Sequence, residues 1–233
     1  EFCKNIEKIL RKDGIFHVEI AYLPDIFKKF SFDTFCQEHL TYFSLISFKY
    51  LIDQTNLKII DFDRNSINGG SINFDLAFKD SKFKPKNSKI ELLYKQETKN
   101  NFHKLKKYKN FFKKVKNNIN LISNKIHNLS QEKKKIYGFG ASTKGNVTLQ
   151  LCNLNNKILK GIYDVNKEKF NSFTPGTNIL IKNEKYMFKD KPDYLVLLIW
   201  HFTKTLKKKF KKFKIKKTKF IWLFPKIKIS NKI

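Results

Sequence analysis

The chain has 233 residues, 41% of them hydrophobic, which is enough for one or two cores of ordinary size and excludes a disordered polymer. Its formal charge of +29 rests on 49 basic residues, of which only Arg11 and Arg64 are arginine. Sequence-reading nucleic-acid proteins draw on arginine for forked phosphate and base contacts, so the lysine excess reads as background composition and argues against specific nucleic-acid recognition. The lysine-rich runs at 104–116 and 207–217 then read as solvated faces that would still attract phosphate-bearing ligands.

Cys3, Cys36 and Cys152 are odd in number, far apart and free of C-x-x-C spacing, which excludes a zinc site or a disulfide framework built from them and fits a reducing, cytoplasmic compartment. The longest apolar run, residues 194–200, is too short to cross a bilayer, and no charged-then-apolar leader precedes it. The chain opens on Glu1 and enters an amphipathic helix at once, so an upstream portion is expected.

In chain order, Phe2, Ile6, Ile9 and Leu10 mark the apolar stripe of that helix, and Asp13-Gly14 stops it. Residues 15–20 form a short β-rich run that leads into a loop at Pro24. Phe43, Leu45, Ile46, Phe48, Leu51 and Ile52 predict a second helix over 42–55, followed by a strand over 57–63. Gly69-Gly70 makes a turn, and Ile72, Phe74, Leu76 and Phe78 alternate with polar or small neighbours as in a half-buried strand. Residues 80–88, with Pro85, turn polar and mark the end of the first region. Between 90 and 134 apolar residues recur every three to four positions, from Phe102 to Leu129, and predict one long helix packed through its aromatics.

The third region starts with an apolar strand over 135–139 that runs into Gly138-Phe139-Gly140-Ala141-Ser142-Thr143-Lys144-Gly145-Asn146. A helix over 147–154 and a strand over 159–163 ending at Asp164 follow. Strand, glycine turn, helix and acid-terminated strand form the opening half of a dinucleotide-type α/β fold. Residues 193–200 and 220–224 supply two more buried strands around a basic helix at 204–213.

Two constellations carry chemistry. Glycines in the 138–146 loop let backbone amides approach an anion, and Ser142, Thr143, Lys144 and Asn146 add side-chain donors. The same pattern also serves a tight strand-to-helix turn without a ligand, and Asp164 reads equally as a ribose acceptor or an exposed strand-end carboxylate. Glu38-His39 lies among apolar and aromatic residues just before a helix. It reads either as a general base with a flanking carboxylate or as a partly buried structural histidine.

Residues 32–44, FDTFCQEHLTYFS, resemble the acidic-histidine motif of S-adenosylmethionine-dependent sugar C-methyltransferases, which act on nucleotide-linked keto-deoxysugars. Gly69-Gly70-Ser71 follows at the spacing of that family. Residues 137–146, Tyr163-Asp164-Val165-Asn166, Thr174-Pro175-Gly176-Thr177, Pro192-Asp193-Tyr194 and Trp200-His201-Phe202 resemble successive parts of its C-terminal domain.

The resemblance implies an α/β architecture. Residues 1–85 would be the trailing part of a Rossmann-like methyltransferase domain, 86–130 a helical connector and 131–233 a second Rossmann-like domain. It further implies His39 as the base that deprotonates the carbon beside the sugar ketone, assisted by Glu38. Gly138, Gly140, Ser142, Thr143, Lys144, Asn146 and Asp164 would hold the nucleotide sugar. S-adenosylmethionine would be the co-substrate, with its own glycine-rich loop and a zinc-binding cysteine module expected upstream of Glu1. The chain departs from the family at Cys36, where a tyrosine is usual, and at His201, where asparagine is expected. Two other functions stay open: an inactive remnant that binds a nucleotide sugar, and a lysine-driven nucleic-acid binder.

Overall fold

The computed structural model describes residues 1–213 and 217–231, so part of the basic run at 207–217 lies outside the described residues. The chain falls into two compact units: residues 1–29 with 40–112, and residues 30–39 with 113–233. These units are defined by contacts within the fold and are a different partition from the segments 1–85, 86–130 and 131–233 that the resemblance implies.

In the first unit, helix α1 (Phe2–Ile9) precedes strand β1 (Phe16–Ala21). Helix α2 (Leu23–Lys29) comes next. Pro24 therefore lies inside a helix and not in a loop. In a first helical turn the missing N–H has no partner to lose and the fixed φ suits the helix.

Helix α3 (Leu45–Asp53) is started by Ser44, whose hydroxyl accepts the Ser47 N–H while the Ser47 hydroxyl accepts the Ser44 N–H. Strands β2 (Leu57–Asn65) and β3 (Ser71–Phe78) flank the Gly69-Gly70 turn. The sheet order is β1-β3-β2, with the central strand antiparallel to both neighbours. The alternation over 71–78 is realised: Ile72, Phe74 and Leu76 are buried in a core with Leu45, Phe48 and Ile52 of α3. Phe48 stacks on Phe74 at 4.3 Å between ring centroids.

The single long helix expected over 90–134 is two helices, α4 (Asn87–Lys99) and α5 (Leu105–Gln131). The break has a local cause. Asn101 adopts a left-handed conformation (φ 60°), a state asparagine tolerates, and the Asn100 side chain caps the carbonyl of Gln96 at 2.8 Å. Phe102 is buried, and Tyr108 donates its hydroxyl to the Phe102 carbonyl at 2.7 Å. Aromatic spacing continued through the turn although the backbone did not. The aromatics pack within the unit, with Phe27 stacked on Phe111 at 3.9 Å.

The second unit holds a six-stranded sheet ordered β6-β5-β4-β7-β8-β9. Its strands are β4 (Ile136–Phe139), β5 (Ile162–Asp164), β6 (Ile181–Asn183), β7 (Tyr194–Leu197), β8 (Lys219–Trp222) and β9 (Lys228–Ser230). All pairs are parallel except β8–β9. This mixed α/β unit with a mostly parallel sheet is the Rossmann-like arrangement expected. The continuous apolar runs fit strands buried on both faces, and Leu195, Val196 and Leu197 are wholly inaccessible.

Helix α6 (Thr143–Leu151) follows β4, the short α7 (Met187–Asp190) precedes β7, and α8 (Thr203–Phe213) follows it. Helix α6 begins four residues before the expected 147. Ser142 caps it by accepting the Gly145 N–H, so Thr143, Lys144 and Asn146 belong to its opening residues and not to a loop. The strand expected from 159 is shorter, and β6 and β9 carry too few apolar residues to announce themselves. Lys106, Lys109, Lys113 and Lys116 on α5 are exposed, as a solvated face requires. No described helix is long and apolar enough to cross a membrane.

Candidate functional site

From β4 the chain crosses outward through β5 and β6, then returns to β7 and proceeds through β8 on the other side. The order therefore reverses between β4 and β7. In open parallel sheets the crevice beyond the strand carboxyl ends at such a point receives ligands. Here its rim is formed by residues 140–144 after β4 and by residues 198–202 after β7.

The glycines of the first rim are set by packing. Gly140 has φ 91°, and a Cβ there would lie 2.5 Å from Cγ2 of Ile199. A Cβ on Gly138 would approach Ile162 Cγ1 to 2.9 Å, and one on Gly145 would approach Leu198 Cβ to 3.1 Å. We expect Gly140→Ala to lower stability by about 2–3 kcal/mol, through both the positive φ and the clash, read as a shift in the urea midpoint. An unchanged midpoint would contradict this packing.

Ser142 Oγ accepts the Gly145 N–H at 3.0 Å. Asp164 is buried, and its two oxygens accept the N–H groups of Ala141 (2.7 Å) and Asn166 (2.8 Å), tying the turn to β5. Thr143 is exposed on the first turn of α6, whereas Asn146 Oδ1 is buried without a hydrogen-bond partner among the described residues.

Onto this helix start packs a segment from much earlier in the chain, the 3-10 turn Phe32–Thr34. Phe32, Asp33 and Thr34 are buried, and the Phe32 ring lies 4.9 Å from that of Phe224. Trp200 Nε1 donates to Asp33 Oδ2 at 2.7 Å, while Asp33 Oδ1 finds no partner among the described residues. Burial pushes the Asp33 carboxyl up to about 6, against the hydrogen bond from Trp200 and the positive charge of Lys144.

Further along, Glu38 and His39 are both exposed. The Glu38 carboxyl is held below its usual range by its own backbone N–H, with further hydrogen bonds from Cys36 and Thr143 and the nearby His39. Burial, and then the bond to Glu38, raises the Cys36 thiol, which therefore stays protonated as a donor. At the position where a tyrosine hydroxyl was expected, this chain thus offers an S–H that orients Glu38. The second unit brings Glu38, beside His39, together with Thr143, and sets Lys144 near Asp33 and His201. Gly138, Gly140, Ser142 and Asp164 build the turn that carries them.

Sequence reasoning missed Asp33 and gave Trp200 and His201 no role. His201 lies beside Trp200, and its Nδ1 is buried without a partner among the described residues. Burial, with Lys144 nearby, holds its imidazole down to about 4. An internal aspartate next to a phenylalanine was the only available signal, and it does not name a partner 167 positions away.

The two shifts oppose each other in pH. Unfolded His201 takes up its proton near 6.5 and folded His201 only near 4, so acidification through that window favours the unfolded chain. Folded Asp33 takes up its proton near 6 and the unfolded residue near 3.8, so the same acidification favours the folded chain. Each contribution is on the order of 2–3 kcal/mol. We expect His201→Asn to gain stability relative to the parent between pH 6.5 and 4, and Asp33→Asn to lose it. Urea unfolding at both pH values measures this, and parallel behaviour of the two variants would refute it.

Among the described residues no group of three His, Cys, Asp or Glu is placed to hold a metal. With Cys3, Cys36 and Cys152 all free, these residues do not fit a zinc centre.

The C-methyltransferase NovU of Streptomyces niveus is 29% identical over 202 residues, covering 87% of this chain and 48% of that protein. The chain thus spans about half the length of that curated relative. Residues 66–225 match the family described as the C-methyltransferase C-terminal domain, a stretch that takes in β3, both long helices and the six-stranded sheet through β8. The chain belongs to the C-methyltransferase C-terminal domain family.

Proposed function

We propose that this protein takes part in transferring a methyl group from S-adenosylmethionine to the carbon beside the ketone of a nucleotide-linked keto-deoxysugar, with His39 as general base. The reading is carried by one observation: an exposed imidazole stands next to a carboxylate that is oriented by Cys36 and Thr143 at the start of α6. Family membership and the similarity to a C-methyltransferase support it.

The ketone acidifies the neighbouring C–H bond. His39 takes that proton, the bond electrons become an enolate, and the enolate carbon attacks the methyl group as the carbon–sulfur bond breaks. The sulfonium is thereby neutralised, and the proton stays on the imidazole. Glu38, kept ionised, stabilises the imidazolium formed in this step. The first turn of α6 and Lys144 supply positive potential for the diphosphate of the sugar nucleotide. In this reading, the first unit is the trailing part of the methyl-donor domain, and the second unit holds the acceptor.

The test uses protein expressed from its whole reading frame, incubated in D2O with a nucleotide-linked keto-deoxysugar. Deuterium appearing at the carbon beside the ketone without methyl donor reports the base alone. Methyl-labelled S-adenosylmethionine then reports transfer. The absence of both exchange and transfer would sink the reading.

A further inference from the structure

We propose that Asp33 is a positioning residue: the hydrogen bond from Trp200 docks residues 30–39 at the β4/β7 switch point and so sets Glu38 and His39 against the first turn of α6. Only the kinetic part of the argument rests on the methyl transfer proposed above.

In sequence, residues 30–39 lie between α2 and α3, both of the first unit, yet they pack in the second. Something must hold them there. Phe32 provides apolar adhesion against Phe224, but a buried ring in a hydrophobic setting tolerates several orientations. The bond from the Trp200 indole to Asp33 Oδ2, at 2.7 Å, is directional and selects one.

The carboxylate also draws on Lys144, whose charge acts on it from the first turn of α6. Thr143, the adjacent residue on that turn, donates to Glu38. The same helix start therefore receives the segment at two points, Asp33 and Glu38. Between them the backbone is wound into successive tight turns, with Phe35 N–H to Phe32 O at 3.1 Å, Cys36 N–H to Thr34 O at 2.9 Å and His39 N–H to Cys36 O at 3.1 Å. A run of this kind passes a displacement at Asp33 on to His39.

Burying a carboxylate with one oxygen unpaired is costly. A residue kept only for packing would not carry that cost when an apolar side chain of similar volume is available.

The experiment compares Asp33→Ala, Trp200→Phe and Asp33→Asn in protein expressed from its whole reading frame. Asp33→Ala and Trp200→Phe are expected to lower kcat by about 10- to 100-fold, as misplacement of a base does, with KM for the nucleotide sugar unchanged. The acid limb of the pH–rate profile should move with kcat. Asp33→Asn keeps an acceptor for the indole and should recover most of kcat.

In parallel, backbone hydrogen exchange should rise at residues 35–39 in the first two variants while β4 and β7 keep their protection. Parent-like kcat, or unchanged exchange at 35–39, overturns the proposal. So does loss of protection through the whole second unit, which would make Asp33 a residue of the fold alone. If His39→Ala retains activity, the base assignment fails instead, and the exchange measurement still decides the docking.

Discussion

Replacing His39 with alanine is expected to lower kcat for methyl transfer by about 10²- to 10⁴-fold and to leave KM for the nucleotide sugar unchanged. The side chain is exposed beyond the start of α6 and contributes nothing to either core, so its loss should not disturb folding. In the function proposed above, His39 would meet the substrate at the carbon to be deprotonated, whereas affinity would reside in the nucleotide and diphosphate, held elsewhere along the glycine turn. Removing a base used only in the transition state lowers kcat and kcat/KM together. Solvent deuterium exchange into the sugar must fall by a similar factor. A variant that still exchanges the proton at the parent rate would show that another group is the base.

Glu97→Ala is expected to cost about 3–5 kcal/mol of stability in the first unit. Glu97 is 2% exposed and accepts three hydrogen bonds, from the Tyr22 hydroxyl at 2.7 Å, the Leu45 N–H at 2.8 Å and the Ile46 N–H at 2.9 Å. Two of the donors are free N–H groups at the start of α3, where the helix also presents its partial positive charge. The third belongs to a tyrosine that is almost wholly buried, whose hydroxyl is kept protonated by burial and by Glu97 itself.

Truncation leaves all three donors inside the unit without an acceptor, and each unpaired buried group costs about 1–3 kcal/mol before relaxation. Glu97→Gln keeps one strong acceptor and should lie between parent and alanine. Urea unfolding followed by circular dichroism gives the order. An alanine variant as stable as the parent would mean that water reaches these donors.

Strand β3 was legible in the sequence because Ile72, Phe74, Leu76 and Phe78 face one layer with a period of two, and that period is local. The buried strand β7 was legible as a continuous apolar run, and the parallel sheet followed from strands alternating with helices. The family was legible in short motifs strung along the whole chain.

The break between α4 and α5 was not legible, since the aromatic spacing runs on across Asn101 while its left-handed backbone ends the helix. Nor was the start of α6, where Ser142 takes up the cap and turns four expected loop residues, 143–146, into helix. The Gly138–Gly145 pattern read either as an anion loop or as a tight strand-to-helix turn, and the spacing alone did not show that each of these glycines admits Ile162, Leu198 or Ile199.

Local periodicity and turn chemistry depend on neighbours along the chain, so the sequence by itself determined the element types, the α/β class and the presence of an acid–histidine pair. What only the tertiary structure decided is where that pair resides. Asp33 meets Trp200 across 167 positions, and burial is the largest cause of the Asp33 and His201 shifts, with Lys144 acting on both. Desolvation and long-range hydrogen bonding arise from the packed state, and no pattern of spacing along the chain encodes them.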